Sequence, residues 1–321
     1  MKIAVLAVDG VFDTGLATML DTLATANELA VMQKMPSPRF DFRVVGVRKT
    51  VRTSLGLRVP VQEAASVRRP DWVLVPAPGT KMPEPLLLAL AKRESQDAME
   101  QLRRWHRGGA RIGAACIGSF LLAESGLLDG HDATTTWWLG PLFRRRYPNV
   151  ALDENRILVP AGDFVTAGAA MGHLELALWL VRQVSPALAD MTARYLLVDT
   201  RTSQAPYMIP VHLAQADPVV QSFERWARER LHEGFSLEAA AEAMNTSKRS
   251  LQRRMESVLG KSPLAYFQDL RVERAVHLLR TSHQDIEAIA TEVGYADGVT
   301  LRTLLRKRLG CGVKELRRAE I

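Results

Sequence analysis

"RIGAACIGSFLLAESGLLDG" spans residues 111–130. Its first five residues read as a short buried strand. Cys116 follows, then a turn of small residues, then apolar residues at helical spacing. Ala114 and Gly118 stand two residues before and two after Cys116. An elbow that presents a nucleophile between strand and helix requires small residues there, because the two backbones nearly touch. Ser119 is placed to cap the helix and Gly126 to end it. A strand that hands a cysteine directly to a helix belongs to a parallel sheet covered by helices.

The flanking sequence repeats that alternation. Short Val- and Ile-rich runs at 2–8, 42–47, 72–76 and 164–168 read as further buried strands. Helical stretches lie at 14–32, 95–107 and 173–184. The expected fold of this part is α/β, a doubly wound parallel sheet. Cys116 then stands at the carboxyl end of a strand, where such sheets bind ligands.

The 321 residues, 47% of them hydrophobic, suffice for two cored domains. The only cysteines, Cys116 and Cys311, are far apart and form no metal-ligand spacing; neither a metal nor another cofactor is expected. That usage suits a reducing cytosol. The N-terminal apolar run reads as a strand and is too short for a signal peptide. No apolar run approaches the roughly 18 residues that span a bilayer, so a cytoplasmic protein with no membrane partner is expected. The net charge of +7 suggests an acidic partner. The base is concentrated locally: "SKRSLQRR" (247–254) and "RTLLRKR" (302–308) contain no acid.

Sustained periodicity breaks near Leu197. The segment 198–218 carries three prolines and reads as a connector. The expected division is 1–195, a linker at 196–216, and 217–321. After the connector the chain is helical and repeats. Leu237, Ala240, Ala241 and Met244 match Ile286, Ile289, Ala290 and Val293 at an offset of 49. Leu251, Met255 and Gly260 match Leu301, Leu305 and Gly310 at an offset of 50. The offset changes in the turn, where length can vary. This is a duplicated helix–turn–helix, with units at 236–257 and 285–308. The outward face of the first unit's second helix offers Ser247, Lys248, Arg249, Ser250, Gln252 and Arg253. The second unit offers Thr300, Arg302, Thr303 and Arg306. Cationic and hydrogen-bonding side chains on an exposed helix are what the DNA major groove requires. One long helix, "PLAYFQDLRVERAVHLL" (263–279), is expected to hold the two readers at a fixed spacing.

"CIGSFLLAESGLLDGHDATTTWW" (116–138) resembles the elbow of the PfpI-like class I glutamine amidotransferase superfamily. It most resembles the version fused to AraC-type regulators, the GlxA-like group. "TLATANEL" (22–29) and "RTSQAPY" (201–207) resemble that group's first helix and its connector. Residues 217–318 resemble the AraC/XylS DNA-binding domain, with Thr303 in place of the family's arginine and Val313 in place of its proline. The resemblance implies a flavodoxin-like first domain. It also locates what a catalyst would need. The family's histidine after the cysteine is Ile117 here, its second histidine is Thr136, and its glycine pair after the third strand is Ala77-Pro78. The family's acid corresponds to Asp21. Threonine is no general base, and proline has no N–H for an oxyanion. Cys116, Ile117, Asp21, Thr136 and Trp137 are therefore expected to line a non-catalytic ligand pocket.

Together these features imply a sequence-specific transcriptional regulator, not an enzyme. It would bind double-stranded promoter DNA as a homodimer and act on RNA polymerase. The resemblance implies an amine-bearing effector, such as an amino acid or a quaternary amine. The competing expectation is a thiol-dependent amidase or glyoxalase-like enzyme using Cys116. A third is a DNA-binding protein whose first domain only dimerises.

Overall fold

The computed structural model describes residues 1–35, 39–199, 203–204, 217–309 and 312–318. The chain forms two compact units, Met1–Met208 and Ile209–Ile321.

In the first unit, β1 (Lys2–Leu6) leads into helix α1 (Asp13–Met32) and β2 (Asp41–Gly46). A short hairpin, β3 (Val51–Arg52) and β4 (Arg58–Val59), precedes β5 (Gln62–Glu63) and β6 (Trp72–Val75). Helices α2 (Pro83–Ala91) and α3 (Arg93–Arg107) lead to β7 (Arg111–Ala115) and α4 (Gly118–Glu124). Then come β8 (Asp132–Ala133), α5 (Gly140–Arg146), β9 (Ala151–Leu152), β10 (Leu158–Ala161) and β11 (Phe164–Ala167). Helices α6 (Gly172–Val184) and α7 (Pro186–Tyr195) complete the unit.

The main sheet runs β10-β11-β7-β6-β1-β2-β5. Every pairing is parallel except β10 with β11. Both faces are covered, as parallel sheets require. Ile3, Val5 and Leu74 face a core shared with α1, α6 and α7. Ala4, Leu6, Val73 and Ile112 face the opposite core, shared with α2 to α5. This is the doubly wound, flavodoxin-like α/β architecture anticipated above, and Cys116 follows the carboxyl end of β7, which lies between β11 and β6. Two local expectations differ. Ser119 does not cap α4, whose boundary residue is Ile117 and has no side-chain cap; its hydroxyl turns back to Cys116 instead. The first unit also extends past residue 195. Leu196 and Val198 pack on Leu174, Leu178 and Ala193, and Gln204 is buried. The rest of the expected linker lies outside the described residues.

The second unit is helical: α8 (Pro218–Glu229), α9 (Leu237–Ala243), α10 (Lys248–Leu259), α11 (Pro263–Thr281), α12 (Ile286–Glu292), α13 (Gly298–Leu309) and α14 (Val313–Arg318). Among the described residues no helix is long and apolar enough to cross a membrane.

Candidate functional site

Cys116 has φ +54°, the left-handed backbone that β7-to-α4 continuity forces on it. For a residue with a side chain this costs on the order of 1 kcal/mol. The surroundings hold it there. Its N–H donates to Ala167 O at 2.7 Å. Its carbonyl, the Ser119 hydroxyl and the Thr135 hydroxyl form a closed triangle of 2.6, 2.6 and 3.3 Å. Gly118 allows the approach: a Cβ there would lie 2.4 Å from Val75 O. Gly126, with φ +78°, ends the helical segment as its sequence position suggested.

The elbow's chemistry is another matter. Burial pushes the Cys116 thiol up to about 12, against smaller opposing effects of the Ile117 backbone and the Thr136 hydroxyl. Among the described residues no imidazole or carboxylate hydrogen-bonds the thiol. Thr136 is fully buried, and its oxygen makes no regular hydrogen bond. Ile117 and Trp137 are also buried, and Trp137 packs edge-on against Trp138 with ring centres 5.4 Å apart. Asp21 is exposed, on the side of α1 opposite its buried stripe. The fold thus brings Cys116, Ile117 and Thr136 together and leaves Asp21 facing solvent.

His173, whose place the sequence did not reveal, fills the space above the sheet. Its Nε2 accepts the Ala77 N–H at 3.0 Å, and its Nδ1 donates to Ala170 O at 2.6 Å. Gly15 makes room for the ring; a Cβ there would come within 2.5 Å of Nε2. Burial lowers the His173 pKa to about 4, so the ring is neutral near pH 7. Its one lone pair is committed, so it is not a free base. The segment after β6 offers no oxyanion donor either. The Ala77 N–H is held by His173, Pro78 has none, and the Gly79 N–H donates to Gly10 O at 2.7 Å. His131 lies elsewhere, against Phe164. Two of the three cations at 144–146 are engaged: Arg144 pairs with Glu154 and Arg146 with Glu124, each at 2.7 Å. Among the described residues no cluster of three side chains is suited to a metal.

In the second unit the duplication extends to individual hydrogen bonds. Ser236 caps α9 through the Ala239 N–H at 3.2 Å, and Asp285 caps α12 through the Ala288 N–H at 2.7 Å. Ser247 caps α10 through the Ser250 N–H at 3.1 Å, and Asp297 caps α13 through the Thr300 N–H at 2.6 Å. The turns match too: Asn245 at φ +48° corresponds to Gly294 at φ +78°. Ala240, Ala241, Leu251 and Met255 are buried in one copy, and Ile289, Ala290, Leu301 and Leu305 in the other. α11 joins the copies. Its Asp269 receives Lys261, just beyond α10, at 2.8 Å, and also Arg308 of α13.

The outward faces differ in detail. Lys248 pairs with Glu238, and Gln252 donates to Glu256 at 3.0 Å. Arg249 and Arg253 are exposed, one turn apart, without a partner among the described residues. On α13, Arg302 and Arg306 are likewise exposed and unpaired among the described residues, while Thr303 bonds back to Val299 O at 3.0 Å. At the offset of 50, Arg302 and Arg306 correspond to Gln252 and Glu256, not to Arg249 and Arg253. The two helices therefore carry these arginines at different positions of one broad outward face, about 60° apart around the helix axis.

The sequence profile of the DJ-1/PfpI family matches residues 1–183, more than half of the chain. The chain belongs to the DJ-1/PfpI family. A helix-turn-helix domain profile matches residues 240–319. The chain is 27% identical over 221 residues to the HTH-type transcriptional regulator GbdR of Pseudomonas aeruginosa, covering 67% of this chain and 59% of that protein. It is 28% identical over 218 residues to the HTH-type transcriptional regulator ArgR of the same organism, covering 67% and 66%. The matches thus span less than two thirds of those relatives. Among solved structures, an AraC family transcriptional regulator from Pseudomonas putida superposes with a TM-score of 0.51 at 21% identity, covering 60% of this chain and 98% of that one. That likeness concerns the fold alone. In this DJ-1/PfpI chain the elbow is kept as geometry, with Ile117 and Thr136 where the resemblance leads one to expect histidines.

Proposed function

We propose that this chain is a DNA-binding transcriptional regulator whose DJ-1/PfpI unit senses a small molecule without transforming it. The observation that supports it most is the duplicated helix–turn–helix, matched cap for cap, with unpaired arginines on both second helices. Arg249 and Arg253 are suited to guanine edges or phosphates, and Arg302 and Arg306 to the second half of the site. Ser247, Lys248, Ser250, Gln252, Thr300 and Thr303 flank them. Promoter DNA is the partner, a homodimer in the cytoplasm is the working form, and RNA polymerase is the downstream contact. The effector class is an amine-bearing metabolite, such as an amino acid or quaternary amine, received beside Cys116, Ile117, Thr136 and Trp137. The Thr136 hydroxyl beside the thiol, with no regular hydrogen bond among the described residues, supports a polar ligand group there. Asp21 contributes at most from the rim. A thermal-shift titration of the full chain with amines and amino acids tests the sensing role. A ligand at a hundred times its Kd stabilises by about 2.7 kcal/mol; no shift with any such compound removes it.

The strained Cys116 backbone favours a second reading, a thiol-dependent amidase or glyoxalase-like enzyme. Against it stand the raised thiol pKa and the occupied donors after β6.

A further inference from the structure

One residue of the connector is built into the elbow. Gln204 is almost fully buried in the first unit, although it follows the last helix of that unit by nine residues. Its Nε2 donates to Thr135 O at 2.9 Å and to Thr134 Oγ1 at 3.2 Å. The backbone around it is paired as well. The Gln204 N–H and the Ser203 hydroxyl both donate to Asn155 O, at 2.9 and 2.8 Å. Gly168 provides the room: a Cβ there would stand 2.4 Å from Gln204 Nε2. Gly168 directly follows Ala167, whose carbonyl holds the Cys116 N–H. Thr135, whose carbonyl holds Gln204, has its hydroxyl in the triangle that fixes the Cys116 carbonyl. Two routes thus join Cys116 to Gln204: hydrogen bonds through Thr135, and the hydrogen bond to Ala167 followed by close packing of Gly168 on the carboxamide. Gln204 Oε1 is buried and has no partner among the described residues, which hold the carboxamide through its nitrogen only.

We infer that Gln204 is a positioning residue that latches the connector to the Cys116 elbow, so that a change at either end is felt at the other. A buried amide whose oxygen is unmet among the described residues lacks part of the hydrogen bonding that would make its site fully favourable. Displacement of Thr135 by a bound group removes the shortest of its side-chain hydrogen bonds and leaves those to Thr134 Oγ1 and Arg156 O. Coupling of this kind is reciprocal: what loosens the connector must also loosen the elbow. The biological use of the latch rests on the sensory role proposed above. The latch itself is a property of the chain, and its test needs no effector.

Two rates in the chain carrying Cys311→Ser report on the two ends: alkylation of Cys116 by iodoacetamide, and chymotryptic cleavage at Tyr207. Gln204→Met keeps the volume and removes the hydrogen bonds; it is expected to raise both rates at least tenfold. Thr135→Val alters only the elbow end; it is expected to raise cleavage at Tyr207 at least threefold. An alkylation rate within twofold of the parent in Gln204→Met overturns the proposal. So does unchanged cleavage in Thr135→Val. If Gln204→Met loses its cooperative melt, the Thr135→Val cleavage rate alone decides. Failure of both arms with an intact amine-induced thermal shift would leave sensing standing and remove only the latch.

Discussion

His173 gives the first unit a pH dependence with a definite sign. Its folded pKa of about 4 lies below the ordinary value of 6.5. Between these values the unfolded chain binds the proton and the folded chain does not. Stability is therefore fully present above about pH 6.5 and falls as pH drops toward 4, by up to about 3 kcal/mol. Chemical-denaturation midpoints at pH 4.5 and 7 measure this. His173→Gln, which can keep the contact to the Ala77 N–H and does not titrate, is expected to flatten the difference. Cys116 makes the opposite case. Its thiol is held near 12 by burial, so the thiolate is scarce at pH 7. Alkylation is expected to run at least about a hundredfold slower than for an exposed cysteine of ordinary pKa. A rate equal to or above that of free cysteine would restore the enzyme reading. Cys116→Ser is correspondingly expected to leave DNA binding unchanged.

At the scale of elements, the second unit predicts matched losses. Asp297→Ala and Ser247→Ala each remove an N-cap from a second helix, and each is expected to cost about 1 kcal/mol. Thermal melts of the full chain check it; a change below about 0.3 kcal/mol in both would mean that packing alone sets these helices. Much of this was legible in sequence. The strand at 111–115, the elbow glycine and the two turns all carry local signals, because backbone geometry restricts the residue type at each position. The duplication was visible as paired apolar positions, since burial conserves size and polarity between the copies. The parts that were not legible depend on long-range placement. His173 reaches Ala77 across 96 residues, and Gln204 reaches Thr135 across 69. Neither has a local pattern to betray it. Ser119 looked like a cap because its position fits one, but the Cys116 carbonyl and Thr135 bind its hydroxyl instead. Asp21 was assigned by resemblance, and helix phase turned it outward.

For the whole molecule, the proposed function divides the labour between sensing in one unit and binding DNA in the other. On that proposal, the four arginines on the two second helices that have no partner among the described residues set how binding responds to salt and mutation. Removing one arginine that neutralises a phosphate lowers the slope of log K against log salt by about 0.9. Arg249→Ala and Arg253→Ala are expected to cost about 1–3 kcal/mol of specific affinity each if they read bases. Arg302→Ala and Arg306→Ala, displaced by about 60° around the helix axis and beside Thr303 where the resemblance has an arginine, are expected to lower the salt slope with little change in the preferred sequence.

The most direct test is selection of bound duplexes from a random DNA pool by the full chain, with the Arg249→Ala/Arg253→Ala protein alongside. The regulator account predicts enrichment of a motif with two contacted segments about one helical turn apart, weakened or lost in the double variant. A pool that stays random after repeated selection, or one enriched equally by both proteins, would contradict it.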